Sequence, residues 1–267
     1  MRDAGTVCNA ARPRYSEHME TGDTLRRHYL AAMGITVWER RERLPSVPVP
    51  ATIAASPEPE SAPLLAMVVP AALPSVVHGL NVGHMGWEEV AQTVAACTFC
   101  ELHCTRTQTV FGVGHRTAQW LFVGEAPGAE EDKQGEPFVG AAGQLLNAML
   151  HALGLKRHEV YIANVLKCRP PNNRDPRPAE VESCEPYLVR QIQLLQPRVI
   201  VALGRHAAHS LLKSDLPLGK LRARQHTYQG IPLVATYHPA YLLRTPSDKR
   251  KAWEDLCLAR TVMQATT

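Results

Sequence analysis

Residues 120–128 read WLFVGEAPG. Four consecutive apolar residues, closed by Gly124 and a proline-bearing turn, are the pattern of a strand buried on both faces rather than on one. Three further runs of branched and small apolar residues follow at 160–165, 199–203 and 233–236. Helical periodicity fills the intervals at 141–153, 179–195 and 206–212. Strand and helix in alternation predict an α/β fold: a three-layer α/β/α arrangement with a central four-stranded parallel sheet. Ligands of such sheets bind beyond the carboxyl ends of the strands. Those ends carry GEAPG at 124–128, Asn164 and Lys167, GRH at 204–206 and HPAYLLR at 238–244, which locates the functional site.

Outward from this core the chain of 267 residues changes character. The domain is expected over residues 87–267, opening with a helix in WEEVAQTVAACTFC. Residues 45–86 recur in proline and alanine too often for a helix or an inner strand and read as a disordered, partly extended linker. Before it lies an N-terminal extension, 1–44. Its segment 24–44 sets Leu25, Tyr29, Met33 and Trp38 among arginines, a composition suited to docking on a partner. No run of eighteen apolar residues exists, and the first fourteen residues lack a secretory pattern, so a cytoplasmic protein without membrane contact is expected. A net charge of +4 is compatible with a polyanionic partner but too mild to indicate one.

Seven cysteines without a secretory signal suggest metal-binding or reduced thiols rather than a disulfide framework. Cys97 and Cys100 form a C-x2-C pair. Cys168 and Cys184 bracket the proline-rich segment PPNNRDPR, which a metal clamp would pin. Four thiolates from two chain regions can close one site, although spacing alone does not separate zinc from an iron-sulfur cluster. Cys8 and Cys257 read as free thiols, and Cys104 as a spare or substitute ligand.

Taken singly, Glu125 reads as a solvated turn residue, His238 as a structural histidine, Asn164 as a cap and Phe138 as core. Taken together, GEAPG-x2-ED at 124–132, PFVG-x2-GQLL at 137–146, NVLKCRPP at 164–171 and HPAYLLR at 238–244 occur in the order and spacing of one family. The chain resembles the family-4, iron-sulfur uracil-DNA glycosylases from about Cys97 to about Arg260, including the four paired cysteines.

The resemblance implies a monofunctional enzyme that flips uracil out of DNA and hydrolyses its N-glycosidic bond, leaving an abasic site. It implies a 4Fe-4S cluster on Cys97, Cys100, Cys168 and Cys184. Glu125 and His238 would be catalytic, the first beside the attacking water and the cationic sugar, the second donating to uracil O2. Ala126 would line the substrate pocket, Phe138 would stack on the base and Asn164 would pair with its edge. Glu131 would crowd C5 against thymine's methyl, and Leu242 and Leu243 would wedge into the vacated stack. Arg244, Lys167, Arg169 and Arg174 are candidates for phosphate contacts. The expected partner is uracil-containing DNA, single- or double-stranded, met by a monomer at the nucleoid.

Residues 30–41, LAAMGITVWERR, resemble the N-terminal peptide of the psi subunit of the bacterial replicative clamp loader, which would tether the enzyme near new DNA. Two other classes compete with the glycosylase reading. Glu125, Glu130, Glu131 and Asp132 could hold magnesium in a nuclease or phosphoryl-transfer enzyme, and a non-catalytic DNA-binding module would need the metal only as a staple.

Overall fold

In the computed structural model, residues 82–265 are described. The docking segment 24–44, Cys8 and the linker up to residue 81 fall outside them. Residues 82–86, expected as the end of the linker, belong to the fold: Val82 is buried, and Arg190 Nε donates to the Met85 carbonyl at 2.7 Å.

The chain runs through α1 (Trp87–Ala95), β1 (Val113–Gly114), β2 (Trp120–Gly124), α2 (Ala129–Gln134), α3 (Ala141–Ala152), β3 (Tyr161–Asn164) and α4 (Pro178–Leu195). It continues through β4 (Val199–Leu203), α5 (Arg205–Leu212), α6 (Leu218–Leu221), β5 (Gln225–Tyr228), β6 (Ile231–Thr236), α7 (Pro239–Arg244) and α8 (Lys249–Ala265). The sheet order is β1-β3-β2-β4-β6-β5. The inner four strands are parallel, as the alternation of strand and helix predicts. Two short antiparallel strands extend this core at its edges.

Every residue of β2 and β4 is buried, because helices cover both faces. The side-chain period of two sends Trp120 and Phe122 to one face, where they meet Leu146, Leu150, Leu256 and Val262 of α3 and α8. Leu121 and Val123 go to the other, against Leu188, Ile192, Ala207 and Leu211 of α4 and α5. A third, smaller core joins α1 to α4 around Val90, Val94, Leu166, Cys168, Cys184 and Tyr187.

The last helix is anchored by a buried charge. Asp255, 0% exposed, accepts hydrogen bonds from Thr236 Oγ1 at 2.9 Å, Arg222 Nε at 3.1 Å and the Ala223 amide at 3.0 Å. It thereby fixes α8 to the carboxyl end of β6, two residues before His238. Asp255→Ala removes three hydrogen bonds and leaves the largely buried Arg222 guanidinium with only the Lys251 carbonyl and the more distant Glu254 carboxylate, which should cost up to about 3–5 kcal/mol of folding stability. Urea denaturation checks this, and a midpoint equal to that of the unsubstituted chain would contradict the anchoring role.

Candidate active site and cysteine site

The sheet register gathers the chemistry. Gly124 pairs with Asn164 across β2 and β3, and Leu203 with Thr236 across β4 and β6. The residues that follow each strand therefore emerge at one edge. They open a cleft of about 680 Å³, lined among others by Glu125, Ala126, Glu131, Phe138, Asn164 and His238. That volume suits a small-molecule or single-nucleotide moiety.

Asn164 is only 2% exposed, and its Oδ1 is buried without a hydrogen-bond partner. A buried unpaired amide oxygen in a cleft wall is costly unless a ligand donates to it. Phe138 lies beside it in an uncommon left-handed conformation, φ 55°. The loop is held in that shape by Glu131, whose Oε1 accepts from the amides of Val139 and Gly140 at 2.9 and 3.1 Å and whose Oε2 accepts from Gly128 at 3.1 Å. Gly124 lets the two side chains meet, because a Cβ there would stand 2.4 Å from Asn164 Oδ1 and 2.6 Å from the Phe138 ring.

Phe138 and His238 set their rings 5.5 Å apart at 30°. Burial, aided by Arg244, pushes His238 down to about 4, so its ring is neutral at neutral pH; Glu131 opposes the shift. The Ala240 amide donates to His238 Nδ1 at 3.1 Å, which leaves the proton of the neutral ring on Nε2 as a donor. Burial, with the nearby charge of Asp175 adding to it, pushes the Glu125 carboxyl up to about 7, against Arg205. One cleft thus holds a base poised near neutrality and a neutral imidazole donor.

Several expected residues stand elsewhere. Leu242 is 1% exposed and packed in the core against α3 and α8, so its projection into DNA is corrected; Leu243, 44% exposed, is the outward residue of the pair. Lys167 is buried and not a surface cation: its Nζ donates to the Asn164 carbonyl at 2.8 Å and to Gln191 Oε1 at 2.6 Å. Arg174 is paired with Glu180 and Arg169 with Asn173, whereas Arg244 is exposed and lines the cleft. The proposed magnesium set is not brought together. Glu130 pairs with Lys133, the Glu131 carboxylate is taken up by backbone amides, and Asp132 accepts from the Thr107 amide at 3.0 Å. Asp175 and His206 also line the cleft, and no motif had marked either; the only signal was the placing of GRH after a strand.

Cys97, Cys100, Cys168 and Cys184 line one pocket beside Tyr187, while Cys104 is exposed outside it. Arg106 Nη1 and the Lys167 amide donate to the sulfurs of Cys168 and Cys184 at 3.1 and 3.3 Å. Such N–H donors suit thiolate ligands. Among the described residues, the only three ligand-bearing side chains whose atoms all lie within 4.8 Å of one another are Glu125, Asp175 and His206.

A family model described as the uracil DNA glycosylase superfamily matches residues 111–257. The chain is 49% identical over 167 residues to a type-4 uracil-DNA glycosylase of Archaeoglobus fulgidus, covering 60% of this chain and 84% of that protein. It is 43% identical over 181 residues to the type-4 enzyme of Thermotoga maritima, covering 66% and 94%. To a type-5 uracil-DNA glycosylase of Thermus thermophilus it is 31% identical over 195 residues, covering 58% and 87%.

Gly124→Ala places a methyl group 2.4 Å from Asn164 Oδ1 and 2.6 Å from the Phe138 ring, so at least one of them must leave its place. Overpacking of this kind should cost about 1–3 kcal/mol, read by urea denaturation, and an unchanged midpoint would show the pocket to be slack.

Proposed function

Because the chain belongs to the uracil DNA glycosylase superfamily, we propose that it is a uracil-DNA glycosylase that takes uracil extrahelical and hydrolyses its N-glycosidic bond. The observation that carries the reading is the buried, unpaired Asn164 Oδ1 in the cleft wall. Uracil presents a donor at N3 and acceptors at O4 and O2. In this reading N3–H donates to Asn164 Oδ1, the Asn164 amino group donates to O4, and cytosine, inverted at both atoms, is rejected. The Phe138 face stacks on the ring.

Bond cleavage leaves cationic character on the sugar and negative charge on uracil O2 and N1. His238 Nε2–H donates to O2, and being neutral it gains in strength as the charge develops, without transferring its proton. Glu125 accepts a proton from the attacking water and favours the cationic sugar. No lysine lies at a nucleophile position in the matched motifs, so the product is an uncut abasic site. Arg244, which lines the cleft, and the exposed Leu243 next to it in sequence contact the DNA beside the flipped nucleotide.

The cysteine site fits a 4Fe-4S cluster. Four thiols line one pocket, and N–H donors from Arg106 and the Lys167 amide reach two of the sulfurs, which supports thiolates holding the cluster that the family resemblance implies. The cluster would supply a structural clamp on the 169–183 segment, with no part in the chemical step. No helix among the described residues is long and apolar enough to cross a membrane. Monomeric action at the nucleoid, and docking of residues 24–44 on a clamp loader, are parts of the same proposal that rest on the sequence alone.

Uracil release from oligonucleotides in excess EDTA, between pH 5 and 9, tests the activity. A base near pH 7 works as carboxylate, so the rate should fall as pH drops through about 7 and level above it. Asn164→Ala should lose roughly 5- to 150-fold, since a bidentate base contact is worth roughly 1–3 kcal/mol. Wild-type uracil release by that variant would remove Asn164 from the reading, and a requirement for added divalent metal would favour a nuclease. Purified protein should be brown and carry iron, and Cys168→Ala should lose both while exposing the 169–183 segment to protease. A colourless, active protein holding one zinc would overturn the cluster.

A further inference from the structure

Glu125 does not face the cleft alone. One carboxylate oxygen each of Glu125 and Asp175 and one ring nitrogen of His206 all lie within 4.8 Å of one another. For three atoms so placed a common point exists within about 2.8 Å of each, the length of a hydrogen bond to water. The three groups come from different parts of the chain: Glu125 from the turn after β2, Asp175 from the segment between Cys168 and Cys184, and His206 from the first turn of α5. All three line the same cleft as Asn164 and His238. Arg205 Nη2 braces the cluster from outside, bonding Asp175 Oδ2 at 3.2 Å and His206 Nε2 at 3.0 Å, and within it His206 Nε2 stands 3.2 Å from the same Asp175 oxygen.

We propose that Asp175 and His206, together with Glu125, form the seat of the attacking water, making two further catalytic residues of this reaction. The inference rests on the glycosylase reading above and deepens it. A water with two protons and two lone pairs fills such a seat: it donates one hydrogen bond to Glu125 and one to Asp175 or His206, which turns a lone pair toward C1′. As the oxygen bonds to C1′, the C1′–N1 electron pair leaves on uracil and one water proton passes to the Glu125 carboxylate. Asp175 has a second effect, since its negative charge beside Glu125 favours the protonated form of that carboxyl. The other charged groups around Glu125 are Arg205 on α5, Glu131 on α2, Arg174 between the cysteines and Arg244 on α7, with the neutral but titratable His238 after β6.

Single-turnover uracil release with enzyme in excess is the test, run from pH 5 to 9 on Asp175→Asn and His206→Ala. Binding is measured in parallel with an oligonucleotide containing 2′-fluorinated deoxyuridine, which resists cleavage. His206→Ala should slow the chemical step roughly tenfold or more while binding changes less than twofold. Asp175→Asn should move the acid limb of the rate profile to lower pH, a shift that a merely structural role would not produce. Asp175 is exposed, so this variant carries the test even if His206→Ala fails to hold its iron absorbance. Wild-type rates and an unmoved limb in Asp175→Asn would overturn the proposal, as would equal losses in rate and binding, which would make these residues DNA contacts. Failure of the parent reading looks different: the unsubstituted chain then releases no uracil at all.

Discussion

The in-register parallel pairing of β2 with β3 is the constraint on which the site depends. Gly124 opposite Asn164 sets the base of the cleft, and the backbone bonds from Val165 to Gly124 and from Leu166 to Glu125 carry the same register past the strand ends. A slip of one residue would turn Asn164 toward the opposite face and bring an apolar side chain into the cleft. Burial of both faces forbids the slip, because each face of β2 meets a different set of helices. The precision of the chemistry is therefore inherited from packing far from it.

The same run, 164–168, joins two sites that look separate in sequence. Asn164 faces the cleft and Cys168 the cysteine pocket, with Lys167 buried between them. Burial pushes Lys167 down to about 8, with the neighbouring cysteines acting the other way, and its Nζ ties the Asn164 carbonyl to Gln191 on α4. Val110 closes the other side through its amide on the Lys167 carbonyl. The proposed clamp on Cys168 and Cys184 would thus steady the residue that faces the cleft, and would also present Asp175 from the segment it encloses.

Much of this was legible in the residues. The inner strands announced themselves as branched apolar runs, and the motif residues Glu125, Phe138, Asn164 and His238 do converge on one cleft. What escaped has physical causes. β1 is two residues long, and the β5–β6 turn uses Gln229 with Gly230, both at positive φ, where an asparagine would have signalled a hairpin. The buried stripe of α8 runs through Ala252, Asp255, Leu256, Ala259 and Val262, whose small and charged members blur its periodicity. Leu242 and Leu243 are adjacent and alike, and only the helical phase of α7 separates the core residue from the exposed one. Lys167 reads as a surface cation until its neighbours are known.

Gly124 has one more consequence, for how this pocket can change over generations. Its wall is made by an atom that is not there, and every substitution adds one, against the Asn164 amide oxygen and the Phe138 ring. Lineages altering the base they accept are therefore channelled away from this position toward Asn164, whose amide can be exchanged within its own volume, or toward the loop that Glu131 holds. Drift in the rest of the cleft wall can be gradual, whereas here the smallest step is a whole methyl group.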